Sequence, residues 1–437
     1  MSPLLTGSVW AGLIRYHKNL RLCQFFEGRS VVNINYFVNI RLPTEKAQGY
    51  QICKMCEAFA QNGARVTLVH PYRSQSDPNM HQQTVFDYYG VSETFTVRRL
   101  SNIDILCLEK ILPRRIFIPL FFVHQLIWGL FAVLKTRGAR SDLYITRDIP
   151  VAFWLTRFGL PTVYEIHTVP KRVQRWFLQQ IAPHPALQQT ISLTSFIRQR
   201  LIELGFPEKK ISVFPDAVDL SMFDGLPDRE TCRRRLGLPQ DRHIIGYIGR
   251  FQTLDMEKGV PELVEAMSQV PLQKGTKPLL LCVGGPMNLV PGYMDHARRL
   301  QIDASCLQFV DRVPNCDVPL WIKACDIVTI PWSWTEFSAY FTSPMKLFEY
   351  MAAGVPIVAS DLPSMREVLE HKKNACLVEP GNPSALAEGI NYVFKHQAFS
   401  ERISQQASKD VKNFTWNSRA AGILRAAGEN TNTHPPS

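Results

Sequence analysis

The sequence predicts an α/β protein of two domains, each a parallel sheet wrapped by helices. Three observations carry this expectation. The chain has 437 residues, long for one hydrophobic core and suited to two domains of roughly 200 residues each. Hydrophobic residues make up 46% and charged residues 20%, the balance of an ordinary globular protein. The same strand, loop, helix, strand order opens both halves, first at Ser30 and again at His243.

In the first half, residues 30–38 (SVVNINYFV) read as a strand, and the loop 39–49 (NIRLPTEKAQG) leads into a helix over 50–62. Val66–Val69 is the second strand, which completes a Rossmann-type unit whose ligands lie at the C-terminal ends of its strands. Gly49 is either a turn residue or a place where backbone closes on a phosphate or sugar. Residues 142–147 (DLYITR) and 162–167 (TVYEIH) are further strands, so His167 terminates one at the end where ligands bind. Residues 211–223 (ISVFPDAVDLSMF) close this domain, and 225–239 read as a linker rich in Arg and Pro.

The second half opens on 243–249 (HIIGYIG), with Arg250 and Lys258 in the loop beyond. Residues 278–284 (PLLLCVG) end in a Gly-Gly turn, 307–313 (LQFVDRV) follow, and 324–331 (ACDIVTIP) form the next strand. Met345–Ala353 reads as a helix that starts after Pro344, stops at Gly354 and runs into a buried strand over 356–360. Its apolar set is Leu347, Phe348, Met351 and Ala352, and a lone carboxylate, Glu349, interrupts it. A helix N-terminus at Thr342-Ser343 offers unpaired N–H groups to phosphate, while Glu349 can accept from hydroxyls. Phosphate at one end and hydroxyls at the other suggest a nucleotide-sugar.

The wording SPMKLFEYMAAGVPIVASD resembles the donor-site signature of the retaining glycosyltransferases of family 4, in the subgroup with SPxKLFEYMA wording. The resemblance extends over about residues 30–425. It implies the GT-B fold, two Rossmann-like domains facing each other across a cleft, and transfer of a sugar from a nucleoside diphosphate sugar with retention. It further implies that Glu349 holds ribose hydroxyls and that Arg250 and Lys258 clamp the diphosphate. Thr342, Ser343, Pro344, Met345 and Lys346 form the rest of the donor motif, and Arg312 and Val313 lie where the family's backbone reads the base. Gly49 and Lys46 fall in a loop that closes over the reaction centre, and His167 lies beside the donor sugar. The expected catalytic residues are therefore His167, Arg250 and Lys258. There is one departure: the family's upstream carboxylate is replaced by Phe341, and the nearest upstream acid is Glu336. A nucleotide-sugar epimerase on the same architecture, or a non-catalytic nucleotide-sugar-binding protein, are the alternative readings.

Of the net charge of +11, all lies in residues 1–220, which hold 26 Lys and Arg against 15 Asp and Glu. That asymmetry favours an anionic membrane or a phosphorylated or lipid-linked acceptor, and no Arg-rich helix points to nucleic acid. The ten cysteines form no regular framework, and Cys53-Lys-Met-Cys56 reads as packing, which together suit a reducing, cytoplasmic setting. Residues 116–134 are apolar but carry Pro119, His124, Gln125 and Gly129. They read as a buried or half-buried helix, with an interfacial membrane helix as the alternative and a true span last. No cofactor or metal is expected. The expected boundaries are an extension over 1–29, domains over 30–215 and 216–412, a helix crossing back over 413–426, and a disordered tail over 427–437.

Overall fold

The computed structural model describes residues 31–74, 80, 82–138, 141–168, 173–253, 256–273 and 275–431. The expected extension, 1–29, lies outside these residues. Seven strands form the first sheet: β1 (Asn33–Phe37), β2 (Arg65–Pro71), β3 (Thr96–Leu100), β4 (Leu143–Thr146), β5 (Thr162–Ile166), β6 (Leu187–Ser192) and β7 (Ile211–Val213). They lie in the order β3-β2-β1-β4-β5-β6-β7, and each neighbouring pair is parallel. Helices cover both faces, so β4 and β5 are buried end to end, as the unbroken apolar runs require.

In the second half come β8 (Ile244–Ile248), a short antiparallel hairpin of β9 (Gln252–Thr253) and β10 (Met256–Glu257), then β11 (Leu279–Val283) and β12 (Leu307–Val310). After them lie β13 (Ile327–Ile330), β14 (Ile357–Ser360) and β15 (Cys376–Val378). The second parallel sheet runs β12-β11-β8-β13-β14-β15. In each sheet the order reverses beside the first strand, between β1 and β4 and between β8 and β13. Crevices at such reversals are where open α/β sheets take ligands.

Two stretches differ from expectation. Within the expected linker, Arg229–Leu236 is a helix capped by the Asp228 side chain. Arg233 is buried there and donates to the carbonyls of Ala324 and Arg242 and to Asp326, so its charge fixes this helix to the sheet. The expected tail is also shorter, because the Trp416–Thr431 helix continues through 427 and Ala427 is fully buried against the first domain. Residues 432–437 lie outside the described residues.

The domains meet at several places. The chain crosses between them twice, near 214–219 and 411–416, where Val218 N–H donates to the Phe414 carbonyl at 2.9 Å. The Trp416–Thr431 helix packs on the first domain, placing Trp416, Ala420, Ile423 and Leu424 in its core. Thr194 donates to the Tyr340 carbonyl at 2.7 Å, and Ser195 donates to Glu367 through both its N–H and its hydroxyl. Phe341 packs on a first-domain cluster around Tyr164 and Ile166. The residue that replaces the upstream acid is thus an interdomain contact.

Candidate active site

The Met345–Ala353 helix forms as expected and ends at Gly354 in the left-handed region (φ 64°). Pro344 occupies the N-cap position without a side-chain cap; its carbonyl takes the Leu347 N–H at 3.0 Å, which leaves the N–H groups of Met345 and Lys346 to meet an anion. Tyr350 fixes the helix to the end of β8: its hydroxyl accepts from Ile248 N–H at 2.8 Å and donates to the Ile248 carbonyl at 3.1 Å. One helical turn earlier, this anchor aims Lys346 at the β8/β13 crevice. The Lys346 ammonium lies 3.7 Å above the Tyr247 ring centroid and would collide with any side chain at Gly249, whose φ is 143°. Gly249 is therefore the residue that makes room for the lysine.

Lys346 Nζ is buried and has no hydrogen-bond partner among the described residues. Burial first, and then the neighbouring Lys258, pull its pKa well below the usual lysine value, with Glu349 opposing. Lys258 is itself buried, its ammonium 4.3 Å from the Trp332 ring centroid and 5.5 Å from that of Phe337, and desolvation lowers its pKa too. Two buried cations held by aromatic faces rather than carboxylates form a site built for an anion. Arg250 is exposed just past β8, and its carbonyl accepts from the Tyr247 hydroxyl at 2.7 Å.

Glu349 lies one turn beyond Lys346 and lines a hollow between the domains with Tyr50, Asp219, Met222, Val318 and Trp416. Burial raises its pKa from the ordinary 4.5 to about 7, although Lys346 pulls the other way. It is poised between its charged and neutral forms near neutral pH.

On the first-domain side, His167 Nε2 lies 2.6 Å from Glu165 Oε1. Glu165 is buried at the other end of an ion pair, where Arg419 donates to it at 3.1 Å. Although burial alone would raise it, Arg419 and His167 hold the Glu165 pKa well below the carboxylate range. Burial and Arg147 in turn lower His167 to about 4. With Glu165 ionised, the proton of the neutral ring sits on Nε2, and Nδ1 is left as an acceptor.

Arg419 also donates to the Pro215 carbonyl at 2.9 Å. The next residue, Asp216, accepts from Gln51, and Gln51 accepts from Arg147 at 2.8 Å. Asp216 N–H donates to Ser343 Oγ at 2.9 Å. One polar network therefore runs from His167 through the C-terminal helix and the crossover to the donor-motif helix.

The structure thus gathers Lys258, Lys346 and Glu349 and connects Ser343 to the His167 side. It separates others. Lys46 and Arg312 are exposed, and Val313 packs half-buried on the second core beyond the outermost strand. Met345 packs on the first-domain core and Thr342 is buried. At Gly49, the place of a side chain is taken by the Tyr89 hydroxyl, which a Cβ would meet at 2.0 Å. That hydroxyl also clamps the Thr44 N–H and carbonyl, so the space beside Gly49 is filled by Tyr89.

Glu165, Arg147, Asp216 and Arg419 were not singled out from the sequence. Glu165 carried a readable signal, since it is a charge two residues before His167 on the same face of an apolar strand. Arg419, far away in sequence, carried none.

Residues 48–222 match the family model described as Glycosyltransferase Family 4, and residues 228–410 the one described as Glycosyl transferases group 1. The chain belongs to glycosyltransferase family 4. This family 4 chain is 26% identical over 331 residues to a D-inositol 3-phosphate glycosyltransferase of Jonesia denitrificans, covering 69% of this chain and 75% of the relative. It is 27% identical over 328 residues to an uncharacterised glycosyltransferase of Methanocaldococcus jannaschii, covering 69% and 80%. Among solved structures, a glycosyltransferase of Rickettsia africae superposes with a TM-score of 0.69 at 17% identity, over 93% of this chain and all of that one. Anabaena HepE in complex with UDP superposes at 0.67 and 18% identity, over 91% of this chain and all of that one. The architecture of this family 4 enzyme is therefore GT-B, as expected from its sequence.

Proposed function

We propose that this glycosyltransferase takes its sugar from a nucleoside diphosphate sugar and transfers it with retention of anomeric configuration. The observation that carries this reading is the buried, unpartnered Lys346 ammonium at the β8/β13 crevice, with Lys258 beside it. In this reading the two lysines and Arg250 receive the diphosphate, and the open N–H groups after Pro344 add further donors. Glu349 accepts from the ribose hydroxyls. HepE has been solved with UDP and with UDP-glucose, which makes uridine nucleotides the first donors to test.

The C1–phosphate bond breaks, and the acceptor oxygen bonds to C1 on the same face. The acceptor proton passes to the departing phosphate oxygen, so no protein base is required. The lysines and Arg250 take up the charge that gathers on the diphosphate, the work a metal ion does elsewhere. His167, neutral near pH 7, accepts from a sugar hydroxyl through Nδ1. We place the protein in the cytoplasm, a setting consistent with nine free cysteines among the described residues.

Incubation with a panel of UDP-, GDP- and ADP-sugars should release nucleoside diphosphate from one of them. Proton NMR of the product should show the donor's anomeric configuration. An inverted product, an epimerised donor, or no release from any donor would each overturn the reading.

A pH dependence follows from Glu349. Its pKa is raised, so its contribution to stability is complete below the unfolded value of 4.5 and is lost as pH rises through about 7. Donor binding has the opposite sign, because the ionised carboxylate is the better acceptor for two hydroxyls. The donor KM should rise roughly tenfold per unit as pH falls below 7, and Glu349→Gln should abolish that limb. Asp216 is also raised to about 7 and is intact in that variant. If the limb persists there, Glu349 is not the group responsible.

A further inference from the structure

The Arg114–Thr136 helix presents its main apolar stripe to solvent. Its inner face, with Trp128, Ala132 and Val133, packs on the first domain, and the Trp154 indole donates to the Leu126 carbonyl at 2.9 Å. On the opposite side Ile116, Leu120, Val123, Ile127 and Leu134 are 51%, 41%, 50%, 65% and 43% exposed. At about 100° per residue these five fall within roughly 60° of arc, turned away from the buried set. Only 28% of the helix's most apolar window is buried. A core helix would turn this stripe inward.

Neighbouring elements enlarge the surface. Ile103 and Ile111 are exposed in the preceding loop, which His124 holds through the Ile103 carbonyl at 2.7 Å. Exposed Val173 and Trp176 belong to the Val173–Ile181 helix, and Phe177 ties that helix to Phe122 with ring centroids 5.3 Å apart. The charge along the helix and at its ends is positive: from Lys110 to Arg137 the chain carries five Lys or Arg and no Asp or Glu, with Glu109 and the Arg73-paired Asp104 in the preceding loop. Arg114 and Arg115 stand at one end of the helix, Lys135 and Arg137 at the other. An apolar stripe bracketed by cations complements a bilayer whose headgroups are anionic. Because its inner face is bonded into the domain, the helix lies on such a surface and does not cross it.

The surface also borders the cleft. The Val173–Ile181 helix begins six residues after His167. Arg73 ties the Ile103 loop to the C-terminal end of β1, pairing with Asp104 at 3.3 Å and donating to Asn39 at 2.7 Å.

We infer that this stripe seats the protein peripherally on an anionic lipid bilayer, which presents a lipid-borne acceptor to the cleft beside His167. The docking stands on its own, while the lipid-borne acceptor rests on the transferase reading. The full chain should co-sediment with phosphatidylcholine vesicles containing about 30 mol% phosphatidylglycerol, and raising salt to about 0.5 M should release it. Val123→Glu with Ile127→Glu should weaken binding by about tenfold or more without altering the circular dichroism spectrum or acceptor-free donor hydrolysis. Arg114→Glu with Arg115→Glu should remove the preference for anionic over neutral vesicles.

Equal binding to pure phosphatidylcholine without salt sensitivity would overturn the docking, as would variants that bind like the parent. Self-association abolished by the Val123/Ile127 pair would assign the stripe to a second copy of the chain. Vesicle binding that emerges only after deletion of residues 1–29 would assign it to that segment. If docking holds and donor is hydrolysed, yet only soluble acceptors are glycosylated, the lipid-borne acceptor is wrong and the transferase reading survives.

Discussion

Lys346→Met should make the ligand-free protein more stable and nearly inactive. The methionine keeps most of the lysine's volume over the Tyr247 ring and removes a buried charge that has no hydrogen-bond partner among the described residues. Replacing a buried, unbonded amine, whose charged form burial and Lys258 disfavour against the pull of Glu349, by an apolar group of similar size is stabilising by about 1 kcal/mol or more, which in a domain of this size raises Tm by roughly 2–4 °C. The lost cation is one that the departing diphosphate would need, and kcat/KM should fall by about 10²- to 10³-fold. Thermal shift with and without added nucleoside diphosphate checks both parts. The parent should gain Tm on adding nucleotide, and the variant should start higher and gain little. A variant that melts lower and turns over normally would show Lys346 to be a packing residue. Lys258→Ala and Glu349→Ala should also reduce transfer strongly with the fold intact.

Arg419→Ala should have the largest effect on stability. Arg419 is 4% exposed and Glu165 2%, and the pair is surrounded by core. Deleting one partner of a buried ion pair leaves the other charged and unpaired, a loss of about 3–5 kcal/mol. Here Asp216 loses a neighbouring cation as well, and the Trp416–Thr431 helix loses its bond to the Pro215 carbonyl. Tm should fall on the order of 10 °C. The milder Glu165→Gln keeps a hydrogen-bonding group beside His167 but removes the negative charge that sets the ring's tautomer. It should lower kcat more than it raises the donor KM if, as proposed above, His167 meets the sugar and not the nucleotide. A drop in Tm with unchanged kcat would make Glu165 purely structural.

The linear pattern carried the helix of the donor motif well. The Met345–Ala353 helix has its predicted ends, because proline before it, glycine after it and apolar spacing between are local signals that tertiary contacts reinforce. Lys258 and Glu349 both act on Lys346 because the strand reversal at β8/β13 gathers residues that follow different strands. Gly49 went the other way. Its neighbour is Tyr89, forty residues along the chain, and no local pattern says that a hydroxyl fills the space beside it. The acid expected upstream of Glu349 is Phe341, which serves the domain interface, a role visible only once the first domain is placed against it.

By itself the sequence determined the two parallel-sheet domains, the family and the donor-motif helix, since these rest on periodicity, turn residues and local wording. Only the tertiary structure decided which charges lack partners. The unpaired state of Lys346 depends on Tyr247, Gly249 and Lys258 from other elements, and the low pKa of His167 on its burial, on Arg147 and on the distant Arg419, all acting against Glu165. The stripe at Ile116–Leu134 reads as apolar in either case, and only packing shows that it faces water. Burial and Coulomb energy depend on distances through space, which a linear order of residues does not contain.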